Sequence, residues 1–260
     1  LAFNLYWIAH LEAIYNEDYQ KAMVLYLKGL EIAKKTLGEN HPKIRLFYIG
    51  LGELEFKMGN YFTSKEYFEK ALEISLQSFG PYHINTASSY DRMGTINRYL
   101  GLYSTAIKQF NKAVKIFLEN LGPNSTYLTA TYYNLGLVYS DIGDNTIALN
   151  YFLEDFEITS RIHGEWHPHT AQAYSMIGFT YGEMKDYNNA LLYLKKSIEI
   201  YFHVYGREHS DMTYSYSSLA TIYLKRKNFV KALKYHLKAK SIREKTLGEE
   251  HPYTQELKGF

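Results

Sequence analysis

Thr131-Tyr132-Tyr133-Asn134-Leu135-Gly136-Leu137-Val138-Tyr139 is followed nine residues later by Ala148-Leu149-Asn150-Tyr151-Phe152. In the first stretch Tyr132, Leu135, Gly136 and Tyr139 recur at i, i+3, i+4 and i+7, the stripe of one helix face. Ala148, Phe152 and Ile158 mark a second helix, whose apolar stripe is broken by Asp155. Between them, Ile142-Gly143-Asp144 supplies a residue that tolerates positive φ, where a first helix can end and the chain reverse. The stretch reads as a helical hairpin.

The hairpin repeats along the chain. Gly38, Gly80, Gly122, Gly164, Gly206 and Gly248 stand at a constant interval of 42 residues, each inside a phrase such as Leu37-Gly38-Glu39-Asn40-His41-Pro42. Aligned at that interval, tyrosine occurs in every unit (Tyr6, Tyr48, Tyr90, Tyr132, Tyr174, Tyr216). Four residues on come Gly52, Gly94, Gly136 and Gly178, with Ala220 in the last unit and His10 in the first. A small-residue column follows (Ala22, Ser64, Ala106, Ala148, Ala190, Ala232), and then an invariant isoleucine (Ile32, Ile74, Ile116, Ile158, Ile200, Ile242). Small residues let paired helices approach closely while the aromatics fill the remaining space. Where other units carry a glycine after the first helix, Glu17, Lys185 and Lys227 stand instead, and those turns need another solution. The His-Pro phrase is expected to place proline at a first helical position, where its missing N–H costs nothing. Fixed punctuation through the whole length is the mark of stacked, identical units. The expected repeats run approximately 1–38, 39–80, 81–122, 123–164, 165–206 and 207–248, in one array over 1–260, with 249–260 as a truncated seventh repeat or cap.

Tyr132-x2-Leu135-Gly136-x2-Tyr139 with Ala148-x3-Phe152 resembles the tetratricopeptide-repeat signature, with tyrosine in place of its leading tryptophan. The usual unit has about 34 residues, and the extra residues here fall after Phe152, lengthening the second helix by about two turns. With the Leu-Gly-x-x-His-Pro phrase, that lengthening resembles arrays of the kinesin-light-chain type. The resemblance implies an all-α, right-handed solenoid of six helical hairpins, about twelve helices in all. It also implies a concave channel lined by the outer face of each first helix. On that face lie Trp7, Leu11, Ile49, Arg92, Tyr133, Asn134, Leu137, Phe179, Tyr214 and Ser217, the candidate residues for binding a peptide or partner. The Lys/Asn pairs one turn apart that clamp a peptide carboxylate in other such arrays are missing. Asn134 matches the asparagine that kinesin light chains turn toward peptide backbone, but Gly50, Met176 and Ser218 in the same column do not.

Composition bounds the alternatives. The charge is nearly balanced at +2 and gives no reason for a polyelectrolyte partner. Cysteine is absent, which excludes disulfides and thiolate metal sites. No apolar run approaches the roughly 18 residues of a membrane span. The chain opens at Leu1-Ala2-Phe3 without methionine, and reads as a piece of a larger protein. Residues 224–245 hold nine Lys or Arg and one acid, a pattern read as a solvated outer face. The column His41, His83, His167, His209, His251, with Ser125 as its exception, reads as capping or packing at helix starts. Packed helices about 8–10 Å apart cannot bring such histidines to one metal. His163, His167 and His169 around Trp166 are denser, yet fit no standard zinc spacing. No phosphate-binding glycine loop or strand-borne nucleophile occurs. The expectation is a non-catalytic, cytoplasmic protein-interaction scaffold without cofactor or metal. Its partner would be a protein or peptide; the alternative is an intramolecular regulatory or sensor region of a larger signalling protein or protease, holding a segment of the same polypeptide; neither membrane nor nucleic acid is expected. Self-association through uncapped ends, the N-terminal one above all, is a further expectation.

Overall fold

A computed structural model of the chain describes residues 1–206 and 208–247. Gly248, His251 and the expected cap 249–260 lie outside the described residues. Among those described there are twelve α-helices and no strand. They are α1 (Ala2–Leu11), α2 (Tyr19–Leu37), α3 (Ile44–Lys57), α4 (Tyr61–Phe79), α5 (Ile84–Tyr99), α6 (Tyr103–Leu121), α7 (Thr126–Ile142), α8 (Asn145–His163), α9 (Pro168–Glu183), α10 (Tyr187–Tyr205), α11 (Met212–Lys225) and α12 (Phe229–Leu247). A π-turn, Glu12–Asn16, extends α1. Odd and even helices pair as hairpins, and every even helix is 19 residues long, the lengthened second helix of the sequence pattern. No helix among the described residues is long and apolar enough to cross a membrane.

The chain divides into two compact units, Leu1–Gly122 and Pro123–Phe260. In the first, α1–α2, α3–α4 and α5–α6 are the hairpins, and each even helix also packs on the next odd one. The second repeats this with α7–α8, α9–α10 and α11–α12.

The columns acquire physical reasons. A Cβ on Gly52, Gly94 or Gly136 would stand 2.5–2.6 Å from the ring of Phe68, Phe110 or Phe152 on the paired helix. Glycine is there to seat that ring. In the first hairpin the exception is compensated: His10 meets Tyr26 through a 3.3 Å hydrogen bond between Nδ1 and the hydroxyl. In the second unit the tyrosines form a ladder, in which Tyr139, Tyr181 and Tyr223 stack on Tyr151, Tyr193 and Tyr235 at 5.5–5.6 Å. Tyr174 and Tyr216 of the invariant column are covered by Lys196 and Lys238, as Tyr48 and Tyr90 are by Lys70 and Lys112 in the first unit. Part of the basic run 224–245 is thereby accounted for: Lys231 and Lys238 lie over tyrosines, and Lys225 and Lys245 pair with Glu183 and Glu208.

The two glycine columns differ in backbone. Gly143 ends α7 in the left-handed region (φ 90°, ψ 5°), and Glu17, Lys185 and Lys227 adopt positive φ there without glycine. The 42-residue column is more demanding. Gly164 has φ 85° and ψ 172°, a region essentially closed to every residue with a Cβ. One turn tolerates lysine and the other does not.

Two histidines of the column, His83 and His167, cap helices. His83 Nδ1 accepts from the Asn85 N–H at 3.0 Å and His167 Nδ1 from the His169 N–H at 3.2 Å. Ser125 replaces the imidazole with a hydroxyl that accepts from the Tyr127 N–H at 3.2 Å. The rings also stack on the last residue of the preceding helix, Phe79 on His83 at 4.7 Å and Tyr205 on His209 at 3.8 Å. The expectation for proline holds at Pro168, the first residue of α9. It fails at Pro42, which sits in a turn ahead of α3, because that helix starts only at Ile44.

Candidate functional site

The face shared by α7, α9 and α11 carries a row of three adjoining cavities in the second unit. The first, about 400 Å³, is lined by Tyr133, Asp155, Thr159, His163, His169 and Gln172 among others. The second, about 360 Å³, shares Tyr133, His169 and Gln172 and adds Ser175, Met176, Tyr201, Tyr205 and Tyr214. The third, about 250 Å³, shares Tyr214 and adds Phe179, Glu183, Ser217, Thr221, Lys225 and Arg243.

Helical spacing explains the row. Tyr133 on α7, Ser175 on α9 and Ser217 on α11 are one column of the repeat, and Phe179 lies one turn beyond Ser175. The Phe179 and Tyr214 rings meet at 5.7 Å and join the second cavity to the third. The phenols of Tyr201 and Tyr214 are held above their ordinary pKa, first by burial and then by nearby Asp211, Glu183 and Tyr133. They are therefore neutral hydroxyls, able to donate and accept. Ser175 lies in a closed set of hydroxyls, 2.6 Å from both Ser197 and Ser215. Ser217 Oγ, by contrast, is buried without a hydrogen-bond partner among the described residues. Lys225 and Glu183 form a 3.0 Å ion pair at the rim of the third cavity.

Of the residues expected on the channel face, Tyr133, Phe179, Tyr214 and Ser217 come together here. Asn134 and Leu137 line none of the three cavities; Leu137 packs instead against the core around Phe152 and Ile177. The other four lie in the first unit. Ile49 is 6% exposed, inside the core with Tyr26, Phe47 and Leu51, and has no surface to offer a partner. Arg92 is engaged by Glu53, with Nη2 at 2.7 Å and Nε at 3.1 Å from the same carboxylate oxygen, so its charge is already matched. Trp7 and Leu11 are exposed, at 60% and 50%, on the first hairpin. Counting residues along first helices missed the even-helix contributors, Asp155, Thr159, His163, Tyr201, Tyr205 and Arg243. The two added turns of the second helix carry most of them onto this face. Asp155 had a visible signal, as the one acid in a column that otherwise reads Gly29, Ala71, Ala113, Ser197 and Ala239.

The histidine cluster is a ring stack. His163 and His167 lie face to face at 4.3 Å, and His169 is 5.6 Å and 5.1 Å from them. Among the described residues no group of three His, Asp or Glu side chains could hold a metal ion. Burial, then the charges of His163 and His169, holds the His167 pKa below its usual value.

Comparison with known proteins agrees with this architecture. A tetratricopeptide-repeat family model matches residues 44–119 and 127–201, and a second one matches 14–43 and 213–253. None of the curated protein sequences matches. Among solved structures, BtubC (BKLC) from P. vanneervenii superposes with a TM-score of 0.73 at 19% identity, covering 90% of this chain and 94% of that one. A Podosopora anserina kinesin-light-chain-type protein of nearly identical TPR-like repeats gives 0.67 at 17% identity, over 77% of this chain and 94% of its own. A Rap protein complexed with competence and sporulation factor gives 0.65 at 14% identity, over 94% of this chain and 75% of its own. Identities this low speak for the fold alone; the family models cover more than half of the sequence, and the chain belongs to the tetratricopeptide-repeat family.

Proposed function

We propose that the chain is a protein-interaction scaffold that captures a peptide segment of a partner along the face of α7, α9 and α11. The observation that carries this reading is the row of adjoining cavities joined through Tyr133 and Tyr214. Half-buried aromatic side chains beside small cavities are the usual anchors of binding energy. The neutral hydroxyls between them can satisfy the backbone of an extended or helical segment, as a desolvated peptide requires. A segment of the same polypeptide would use the same anchors. The Rap protein that resembles this fold is complexed with competence and sporulation factor, which is a precedent for ligand capture by such an array.

The test is selection from a displayed library of random peptides, followed by affinity measurement on the best binder. Tyr133→Ala and Phe179→Ala should each weaken it by more than about 1 kcal/mol, or more than about fivefold. Lys108→Ala, on the other unit, should leave it unchanged. Binding that survives both aromatic truncations but is lost with Arg226 and Lys227 would move the site to the basic end.

A second reading rests on the first hairpin. Trp7, Ile8, Leu11, Ile14 and Tyr15 are all exposed there, and a contiguous apolar face of this kind seeks a partner. Concentration-dependent self-association should follow, weakened by Trp7→Ser with Leu11→Ser. A monomer at every concentration in light scattering would refute it.

A further inference from the structure

Asp155 is a buried acid at a position where the repeat calls for a small residue. It is 6% exposed, and its Oδ1 accepts a 2.9 Å hydrogen bond from Thr159 Oγ1. The next hairpin shows what the column does elsewhere. There Ser197 satisfies its hydroxyl with Ser175 at 2.6 Å and Ser215 at 3.1 Å. For Asp155 the corresponding neighbours are Tyr133 and Ala173. Ala173 brings no polar side-chain atom, and Tyr133 lines the cavity of about 400 Å³ into which Asp155 also opens. A carboxylate held away from water without a partner cation is strongly disfavoured. Here burial outweighs the Thr159 hydrogen bond and pushes the carboxyl up to about 7. The cavity is thus built around an acid that its own walls do not neutralise.

We propose that this cavity seats a cationic side chain of the captured peptide, a guanidinium or ammonium group that pairs with the Asp155 carboxylate. This rests on the peptide-capture reading, and names the chemistry one end of that surface selects. The walls suit such a group: Tyr133, His163 and His169 bring aromatic rings to the cavity, against which a guanidinium packs, and the Gln172 amide is a further acceptor. The charges facing Asp155 fix the sign of the pH dependence. Only the ionised carboxyl attracts a cation; His163 and His169 are the other ionisable side chains on the cavity wall. Cation binding therefore strengthens as the Asp155 carboxyl ionises, whereas an anionic ligand would show the reverse.

Two measurements on the full chain keep this proposal separable from peptide capture itself. In the first, the Asp155 side-chain carbon is followed by NMR across pH with N-acetyl-arginine amide, and with the uncharged N-acetyl-citrulline amide as control. The arginine compound should lower the Asp155 pKa and shift His169 and Gln172, the citrulline compound should not, and Asp155→Asn should abolish the response. Equal effects of both compounds, or a response only to N-acetyl-glutamate amide, would overturn the proposal. In the second, random-peptide selection is run on the native protein and on Asp155→Asn, an isostere that keeps the acceptor for Thr159. Native protein should enrich Arg or Lys at one position, and the variant should bind those peptides roughly 30-fold more weakly or worse while still selecting the apolar residues. Peptides retained without a basic preference would overturn the cation seat and leave the scaffold reading standing. No peptide retained by either protein would overturn peptide capture, and with it the proposal, even if the arginine compound titrates Asp155.

Discussion

Asp155→Asn should make the protein more stable at alkaline pH and change little at acid pH. A buried carboxyl displaced from 3.8 to about 7 binds its proton more tightly when folded. Its contribution is therefore fully present below the unfolded value and is lost as pH rises through the folded one. The displacement corresponds to on the order of 4 kcal/mol across that window, as an upper bound. Asparagine matches the protonated acid in shape and keeps an oxygen for the Thr159 hydroxyl, so the two proteins should coincide near pH 4. Above pH 8 the variant should be the more stable by a few kcal/mol, since it leaves no carboxylate to be buried. The assay is urea unfolding of both proteins across pH, read as the difference between them. Parallel curves would refute the reasoning, because they would mean that Asp155 is solvated or already paired when ionised.

Gly164→Ala should cost about 1–3 kcal/mol, since φ 85° with ψ 172° excludes a Cβ, whereas Lys185→Gly should fall within about 1 kcal/mol of neutral, relieved strain offsetting added chain entropy; similar melting losses for both would refute the distinction. Gly94→Ala places a Cβ 2.6 Å from the Phe110 ring, and overpacking of about 1–3 kcal/mol should outweigh the roughly 1 kcal/mol that alanine gains in a helix. Adding Phe110→Leu should recover part of that loss in a double-mutant cycle, and strict additivity would show that the ring is not the obstacle. His167→Ser, which copies the cap at Ser125, should keep α9 intact and lessen the loss of stability at acid pH. With its pKa held below the usual value, His167 contributes stability above the unfolded pKa that is lost as pH falls through the folded one, so unchanged acid sensitivity in the serine variant would count against the cap.

The hairpins were legible because their signals are local. Tyr132, Leu135, Gly136 and Tyr139 state a helix face within two turns, and the glycines state where the chain must reverse. The capping role of His83 and His167 was legible for the same reason, since the imidazole and the backbone N–H it accepts from are two residues apart. The site was less legible because it depends on which neighbour covers a face. Trp7 and Ile49 occupy one column, yet Trp7 is exposed and Ile49 lies in the core. Helical periodicity cannot separate them, since burial there is decided by the flanking hairpin. Arg92 stands on the expected face, but its partner Glu53 comes from the preceding hairpin, 39 residues away, a pairing that helical periodicity does not show.

Departures from a column hold the functional information that its regularity cannot. Columns repeat because every hairpin faces the same packing problem, so a residue that solves packing should recur. Some departures are explained by a second one beside them: His10 replaces glycine where Tyr26 replaces phenylalanine, and the two bond to each other. Ser125 replaces histidine and makes the same cap. Lys185 replaces glycine in a turn whose backbone accepts it. Asp155 has no such compensation. Its column asks for a side chain no larger than serine, its neighbour Ala173 supplies no polar group, and the hydrogen bond from Thr159 is too little to offset its burial. Packing alone would have been better served by alanine, as at Ala71, Ala113 and Ala239. A cost borne at one hairpin and avoided at the others points to what that hairpin meets and the others do not, and the cavity beside Tyr133 is where such a group would sit.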